Sequence, residues 1–292
     1  MIKLSLALAI LLAADQPAMV VTGDRILGAT VHGTPARLRI DPGGPTMPVF
    51  NPDFAARAGF EAGWIGTSVR VGPVRVEGRS AVVRFDMEQS EFKRRVTWFR
   101  ADYLKGADGA VGPGTLAAPV IRFDIHAPQP GERRVTLPLA DFGYGGMGYA
   151  FEIAGAKVRV RFSLDRERTI ATAALGAEIA TAYQGKFDRP AETMLVLLGV
   201  ERPVRHLALG ASLQVGPFAL NGLHVRTGDF GSVDSIPDPD APVAEPDPDE
   251  IVVTGEKKKK NRMVLDIGRD YLDRCSSIVF DKPAKALTFT CR

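Results

Sequence analysis

The chain of 292 residues has only two cysteines and four histidines. His32, His126, His206 and His224 are scattered, without the close spacing of ligands that a zinc site needs. There is no G-x-S-x-G elbow to present a serine nucleophile, and no glycine-rich loop to cradle phosphate. Cys275 and Cys291 have no histidine near them in sequence, so neither reads as a thiol nucleophile. An excess of charge is also missing: 37 basic side chains against 34 acidic ones leave a net +3. With no DNA- or RNA-reading motif, that balance gives no case for a nucleic-acid partner. Beyond the N-terminus no apolar run is long enough to span a bilayer as a helix. Nothing in the residues calls for a metal or cofactor.

What is present begins at the N-terminus. Lys3 precedes an apolar run over residues 4–14, and small residues follow. This is the pattern of a secretory signal, assigned to residues 1–19, and it predicts export with the periplasm as destination. The cysteines agree with an oxidising compartment. In "CSSIVFDKPAKALTFTC" two alternating apolar runs flank Lys282-Pro283-Ala284-Lys285, which is turn chemistry. A hairpin there sets Cys275 opposite Cys291 and predicts a disulfide.

The rest reads as short strands. "TPARLRI", "SVRVGPVRV", "SAVVRFDM" and "KVRVRFSL" alternate apolar with polar residues, and Gly and Pro punctuate them. Two Ala-rich stretches, residues 52–59 and 171–183, read as helices. Asn51 is placed to cap the first, with Pro52 as its first helical residue.

The order of these features repeats. "SVRVGPVRVEGR" from Ser68 has a counterpart in "SLQVGPFALNGL" from Ser212. Each half is read as a strand ending near an Asp, a helical stretch, a V-G-P hairpin, a Gly-containing apolar turn and a final hairpin. The halves cover residues 20–140 and 149–292, joined by a Gly-rich connector over 141–148. The second half carries an insertion over about residues 232–262. Its acidic, Pro-rich part has too few apolar residues to bury a core, so disorder is predicted. The Lys run at 257–260 reads as the solvated end of the same excursion.

Three segments carry a further signal. "RIDPGGPTMPVFNPDFAARAGF" runs an apolar strand into Asp41, glycines, an apolar pair and a short helix. "LDIGRDYLDRCSSIVFD" puts Gly after apolar residues, then a short helix and a strand ending in Asp. "AVGPGTLAAPVIRFD" follows the same order loosely. Together they resemble the retropepsin-like aspartic proteases over nearly the whole mature chain. The resemblance implies an all-β protein with minor helices: two retropepsin-like or pepsin-like β-barrel lobes forming a pseudo-dimer within one chain. It implies an endopeptidase or binding protein for extended peptides, with Asp41 and Asp165 as the carboxylate pair. Such a pair shares one proton, because two close like charges cannot both ionise. Gly43 and Gly44 would let backbone N–H groups approach Asp41. Gly72-Pro73 and Gly216-Pro217 are candidates for cleft-covering hairpins, or for plain tight turns.

The sequence departs from that family at both loops. Pro42 stands where the family has a threonine, and proline supplies neither hydroxyl nor N–H. Asp165 is followed by Arg166-Glu167-Arg168 rather than glycine, and counting back from Glu178 on the helix places Arg166 at the catalytic position instead. Three readings stay open: a single-chain endopeptidase, a non-catalytic binding protein with a retained cleft, and a homodimer in which two Asp41 loops meet. Separately, "DEIVVTG" resembles the N-terminal segment of TonB-dependent outer-membrane receptors. The resemblance makes Glu250 to Gly255 a candidate docking peptide for a periplasmic partner, by strand addition, or simply a β-prone stretch.

Overall fold

Alternation decides which side of each strand faces inward. In Thr34–Ile40, Ala36, Leu38 and Ile40 are buried while Arg37 and Arg39 point out. In Ala156–Phe162, Val158, Val160 and Phe162 are buried while Arg159 and Arg161 point out. These matched strands head the two halves of a computed structural model that describes residues 18–87, 90–238 and 263–292. Residues 1–17 of the expected signal segment, most of the acidic insertion and the Glu250–Gly255 segment lie outside the described residues.

The first lobe runs β1 (Met19–Val21), β2 (Ile26–Val31), β3 (Thr34–Ile40), β4 (Val49–Phe50), α1 (Pro52–Arg57), β5 (Thr67–Val71), β6 (Val74–Met87), β7 (Ser90–Phe99), β8 (Gly109–Val111), β9 (Val120–Asp124) and β10 (Arg133–Pro138). β11 (Ala140–Asp141) and a 3-10 turn (Gly143–Gly145) follow. The second lobe runs β12 (Met147–Ile153), β13 (Ala156–Phe162), β14 (Ile170–Ala171), α2 (Ala173–Ala182), β15 (Lys186–Phe187), β16 (Glu192–Leu197), β17 (Val200–Val215) and β18 (Phe218–Arg226). It ends with β19 (Val264–Ile267), α3 (Arg269–Leu272), β20 (Cys275–Asp281) and β21 (Ala286–Cys291).

Lobe 1 has strand order β2-β3-β8-β4-β7-β6-β5, and a β2–β6 pairing closes six of these into a barrel. Lobe 2 follows β12-β13-β19-β14-β18-β17-β15, with β16 on β17. The two paths correspond strand for strand: β2 with β12, β3 with β13, β8 with β19, β4 with β14, β7 with β18 and β6 with β17. Phe50, Phe54 and Phe85 fill the lobe 1 barrel; in lobe 2, whose sheet shows no closing pairing among the described residues, Phe162 and Phe218 cluster with Phe289 of β21. A third sheet, β1-β9-β20-β21-β10, takes strands from both halves and ties the lobes together. The protein is therefore all-β, with two matched lobes in one chain and minor helices. Among the described residues no helix is long and apolar enough to cross a membrane.

The predicted Cys275–Cys291 disulfide is formed, across paired β20 and β21. Other expectations need correction. β9 and β10 do not pair as a hairpin; β9 lies on β20 and β10 on β21, because both are recruited to the shared sheet. The two V-G-P turns are not equivalent. Gly72-Pro73 joins β5 to β6, whereas Gly216-Pro217 joins β17 to β18. The counterpart of the first is the β16–β17 turn at Leu198-Gly199. Asn51 stands at the start of α1 but makes no side-chain cap. Its amide instead donates to Leu104 O (2.8 Å) and Ala107 O (3.0 Å), and its Oδ1 accepts from Tyr103 N (2.9 Å). Residues 232–238, the first part of the expected insertion, are packed: Ile236 is buried, and Phe187 N donates to Pro237 O at 2.9 Å.

Candidate functional site

Register decides what faces Asp41. Ile40 pairs with Val111, and Phe162 pairs with Ile267. One residue on, Asp41 N donates to Val111 O (3.1 Å) and Ser163 N donates to Ile267 O (2.9 Å). Asp41 and Ser163 therefore occupy the same place in their lobes. The second lobe presents a serine where the first presents a carboxylate. Asp165 lies two residues beyond that position and Arg166 three, so neither matches it.

The Asp41 carboxylate is buried and heavily engaged. Its Oδ1 accepts from Leu164 N (2.8 Å), Asp165 N (3.3 Å) and Arg25 Nη1 (3.3 Å). Its Oδ2 accepts from Gly43 N at 3.2 Å. The Asp165 carboxylate shares an arginine with Asp41. Its Oδ1 is held by Arg25 Nη2 (2.5 Å) and Arg39 Nη1 (3.0 Å). Arg25 thus bridges both carboxylates. It sits in the β1–β2 turn with φ +56°, and its carbonyl accepts from Ile40 N at 2.8 Å, which fixes it beside Asp41.

Gly43 and Gly44 do serve close approach, though of backbone to backbone. A Cβ on Gly43 would lie 2.9 Å from Phe162 O across the lobe junction, and one on Gly44 would lie 2.6 Å from Val111 O. Further into lobe 2, Asp266 of β19 is buried and receives Arg161 through two bonds, 2.7 and 2.9 Å. Burial pushes the Asp266 carboxyl up, but Arg161 and Arg166 outweigh it and hold it below its usual range. Tyr103, steered in by Asn51, is pushed up to about 12 by burial and stays a neutral phenol.

Burial, with the Asp165 charge nearby, raises Asp41 to about 6, against the lowering pull of Arg25, Ser163 and Leu164 N. The folded state thus holds a proton on Asp41 that the unfolded chain releases near pH 4. This group's contribution to stability therefore falls as pH rises from about 4 to about 6, and is flat above. The fall is expected to be about 3 kcal/mol. Urea midpoints of wild type and Asp41→Asn at pH 4, 5, 6 and 7 check this: the difference between the two proteins should change across that window. A constant difference would show that Asp41 titrates normally.

The flap candidates Gly72 and Pro73 lie at the tip of the β5–β6 hairpin, which reaches lobe 2: a Cβ on Gly72 would be 2.3 Å from Asp229 Oδ1. Gly216 approaches Leu137 of the shared sheet instead. Among the described residues no group of three His, Cys, Asp or Glu side chains could hold a metal ion. Two of the scattered histidines do meet: His206 and His224 face each other across β17 and β18, ring centroids 5.3 Å apart. His206 Nδ1 lies 2.6 Å from Asp188 and His224 Nε2 3.2 Å from Glu192.

Ser163, Arg25 and Asp266 were not among the residues singled out from sequence. Ser163 had a signal, because "RLRID" and "RVRFS" align without a gap. Arg25 had none. No protein-family model and no curated protein matches the chain. Among solved structures it is similar to the EIAV protease complexed with the inhibitor HBY-793, at 16% identity and TM-score 0.26, over 31% of this chain and 82% of that one. It is similar also to the Simian Foamy Virus (mac) protease, at 14% identity and TM-score 0.24, over 31% of this chain and 89% of that one.

Proposed function

We propose that this protein is a non-catalytic, two-lobed binder of extended polypeptide segments, built on an aspartic-protease-like plan. The observation that carries the reading is the Ser163–Asp41 correspondence. Aspartic-protease chemistry needs two carboxylates that hold a water and share a proton. A serine hydroxyl cannot take the second part, since it does not ionise in the range where a carboxyl does. The remaining carboxylate is also occupied. The backbone N–H groups of Leu164 and Asp165 and the Arg25 guanidinium all point at Asp41 Oδ1, where an attacking water would have to be held. Because lobe 2 covers this face of Asp41, a homodimer bringing two Asp41 loops together would first have to separate the lobes.

The expected result is that purified protein leaves unfolded casein intact across pH 3 to 7. Cleavage that Asp41→Asn abolishes would overturn the non-catalytic reading. Binding is supported by geometry that survives without a dyad. β5 and β16 are hairpin edges hydrogen-bonded on one side only, to β6 and β17. An extended segment can add to such an edge through main-chain hydrogen bonds.

A further inference from the structure

Leu198 occupies a position that its own turn does not favour. With Gly199 it makes the two-residue turn between β16 and β17, and both residues have positive φ, +52° and +72°. A turn of this type favours Asn, Asp or Gly at its first central position. A leucine held in the left-handed region crowds its Cβ against the backbone. Tips of hairpins are also usually solvated, yet Leu198 is only 4% exposed.

Its side chain is buried in the other lobe. It forms a small apolar cluster, separate from the main core, with Val49 and Phe99, bordered by Val69, Val76, Tyr103 and its own neighbour Leu197. All but Leu197 belong to lobe 1. Val49 follows the Asp41 loop directly, and Val69 and Val76 lie on the two strands of the β5–β6 hairpin. A side chain from lobe 2 thus fills an apolar pocket of lobe 1. The opposite hairpin has no such plug: its tip, Gly72, rests on the polar Asp229 and Arg202.

We propose that Leu198 is a built-in ligand. The β16–β17 tip closes the cleft by seating a leucine in the lobe 1 pocket, and an extended polypeptide segment enters by displacing it with its own leucine-sized side chain. This rests on the binding reading above. A strained backbone persists where surrounding contacts over-determine it, and here the contact is the pocket. Because the resident leucine competes with any incoming one, the closed form lowers apparent affinity by the fraction of molecules that are open.

Two variants test this. Leu198→Asn supplies the residue the turn favours while removing the plug. Ala101→Cys with Gly199→Cys locks the plug in place: a Cβ on Gly199 would lie 3.9 Å from that of Ala101, within disulfide range. The probe is a fluorescein-labelled Thr-Val-Leu-Val-Thr peptide, with Asp for Leu as control, followed by anisotropy. Leu198→Asn should bind the leucine probe at least about tenfold tighter than wild type. The oxidised double-cysteine protein should not bind it, and mild reduction that leaves Cys275–Cys291 intact by mass should restore wild-type binding. Equal binding by the oxidised and reduced forms would overturn the proposal, as would unchanged or weaker binding by a folded Leu198→Asn. Should Leu198→Asn fail to fold, the reversible lock decides alone. Cleavage of the probe, read by mass, would instead overturn the non-catalytic reading and leave the plug standing.

Discussion

Arg25→Met is expected to cost about 3 kcal/mol at pH 7.5 and well under half of that at pH 5. Methionine keeps most of the stem, so the change is chiefly electrostatic. At neutral pH Arg25 is, among the described residues, the one cation bonded to Asp41, at 3.3 Å, inside a junction where the Asp41 side chain is 9% exposed. Removing one member of a buried pair is worse than never having had it, because the other charge stays behind without compensation. Asp165 is less affected, since Arg39 still reaches it at 3.0 Å and it is partly solvated. The damage has a ceiling, because Asp41 can take up a proton instead of remaining a bare carboxylate. Wild-type Asp41 already titrates near 6. Loss of the Arg25 attraction raises it further, so the variant's stability keeps falling with pH beyond the point where wild type levels off. At pH 5 Asp41 is protonated in both folded proteins, and only the Asp165 bond and some packing separate them. Urea unfolding at the two pH values checks this. An equal loss at both would mean that Arg25 acts through packing alone.

The fold was readable where burial imposes a period, and the site was not, because it depends on register and on distant contacts. β3 and β13 show inward Ala36, Leu38, Ile40 and Val158, Val160, Phe162 against outward arginines, a pattern that follows directly from one buried face. The disulfide hairpin was equally open, since its turn and both cysteines are local. Counting back from the helix puts Arg166, not Ser163, at the position that matches Asp41. That measure fails because α1 has 6 residues and α2 has 10, so Glu178 has no fixed counterpart. Strand pairing is the safer ruler: Val49 and Ile170 both pair with the strand before the matching glycine, Gly112 or Gly268, at Ala110 and Asp266. Measured this way, the lobe 2 loop is one residue shorter and Ser163 falls under Asp41. The V-G-P match misled for a related reason. A tight hairpin turn needs a residue at positive φ, and Gly72 and Gly216 (φ +58° and +57°) supply it in hairpins that have no common place in the fold. Arg25 could not be found from its neighbours at all. Its partners Asp41 and Asp165 lie 16 and 140 residues away.

Gly112→Ala is expected to be among the most damaging single-methyl additions in the protein, at about 3 kcal/mol or more, and worse than Gly268→Ala. The two glycines end β8 and β19 at matching places, after Val111 and Ile267, and each is overlain by the loop that follows β3 or β13. A Cβ on Gly112 would lie 2.1 Å from Gly44 O and 2.6 Å from Gly44 C. A Cβ on Gly268 would lie 2.8 Å from Arg168 C and 2.9 Å from Arg166 O. In both cases the obstructing atoms are backbone, so no rotamer change relieves the clash; the loop itself must move. In lobe 1 that loop cannot move alone. Gly44 N donates to Asp41 O at 2.9 Å, and Gly112 N donates to Pro45 O at 2.9 Å. Gly43, beside it, already lies against Phe162 O across the junction, at a separation that leaves no space for a methyl. Displacing Gly44 therefore disturbs the hydrogen bonds of Asp41 to Leu164 and Asp165, and with them the seam between the lobes. In lobe 2 the overlying loop is also held, Arg269 N donating to Arg166 O at 2.8 Å and Asp270 N to Glu167 O at 3.0 Å, but the clash is milder, 2.8 Å at its shortest against 2.1 Å. Urea midpoints of the two variants should therefore differ, with Gly112→Ala the less stable. The reverse order would mean that the Asp41 loop is the more pliable of the two, against the hydrogen bonding that holds it.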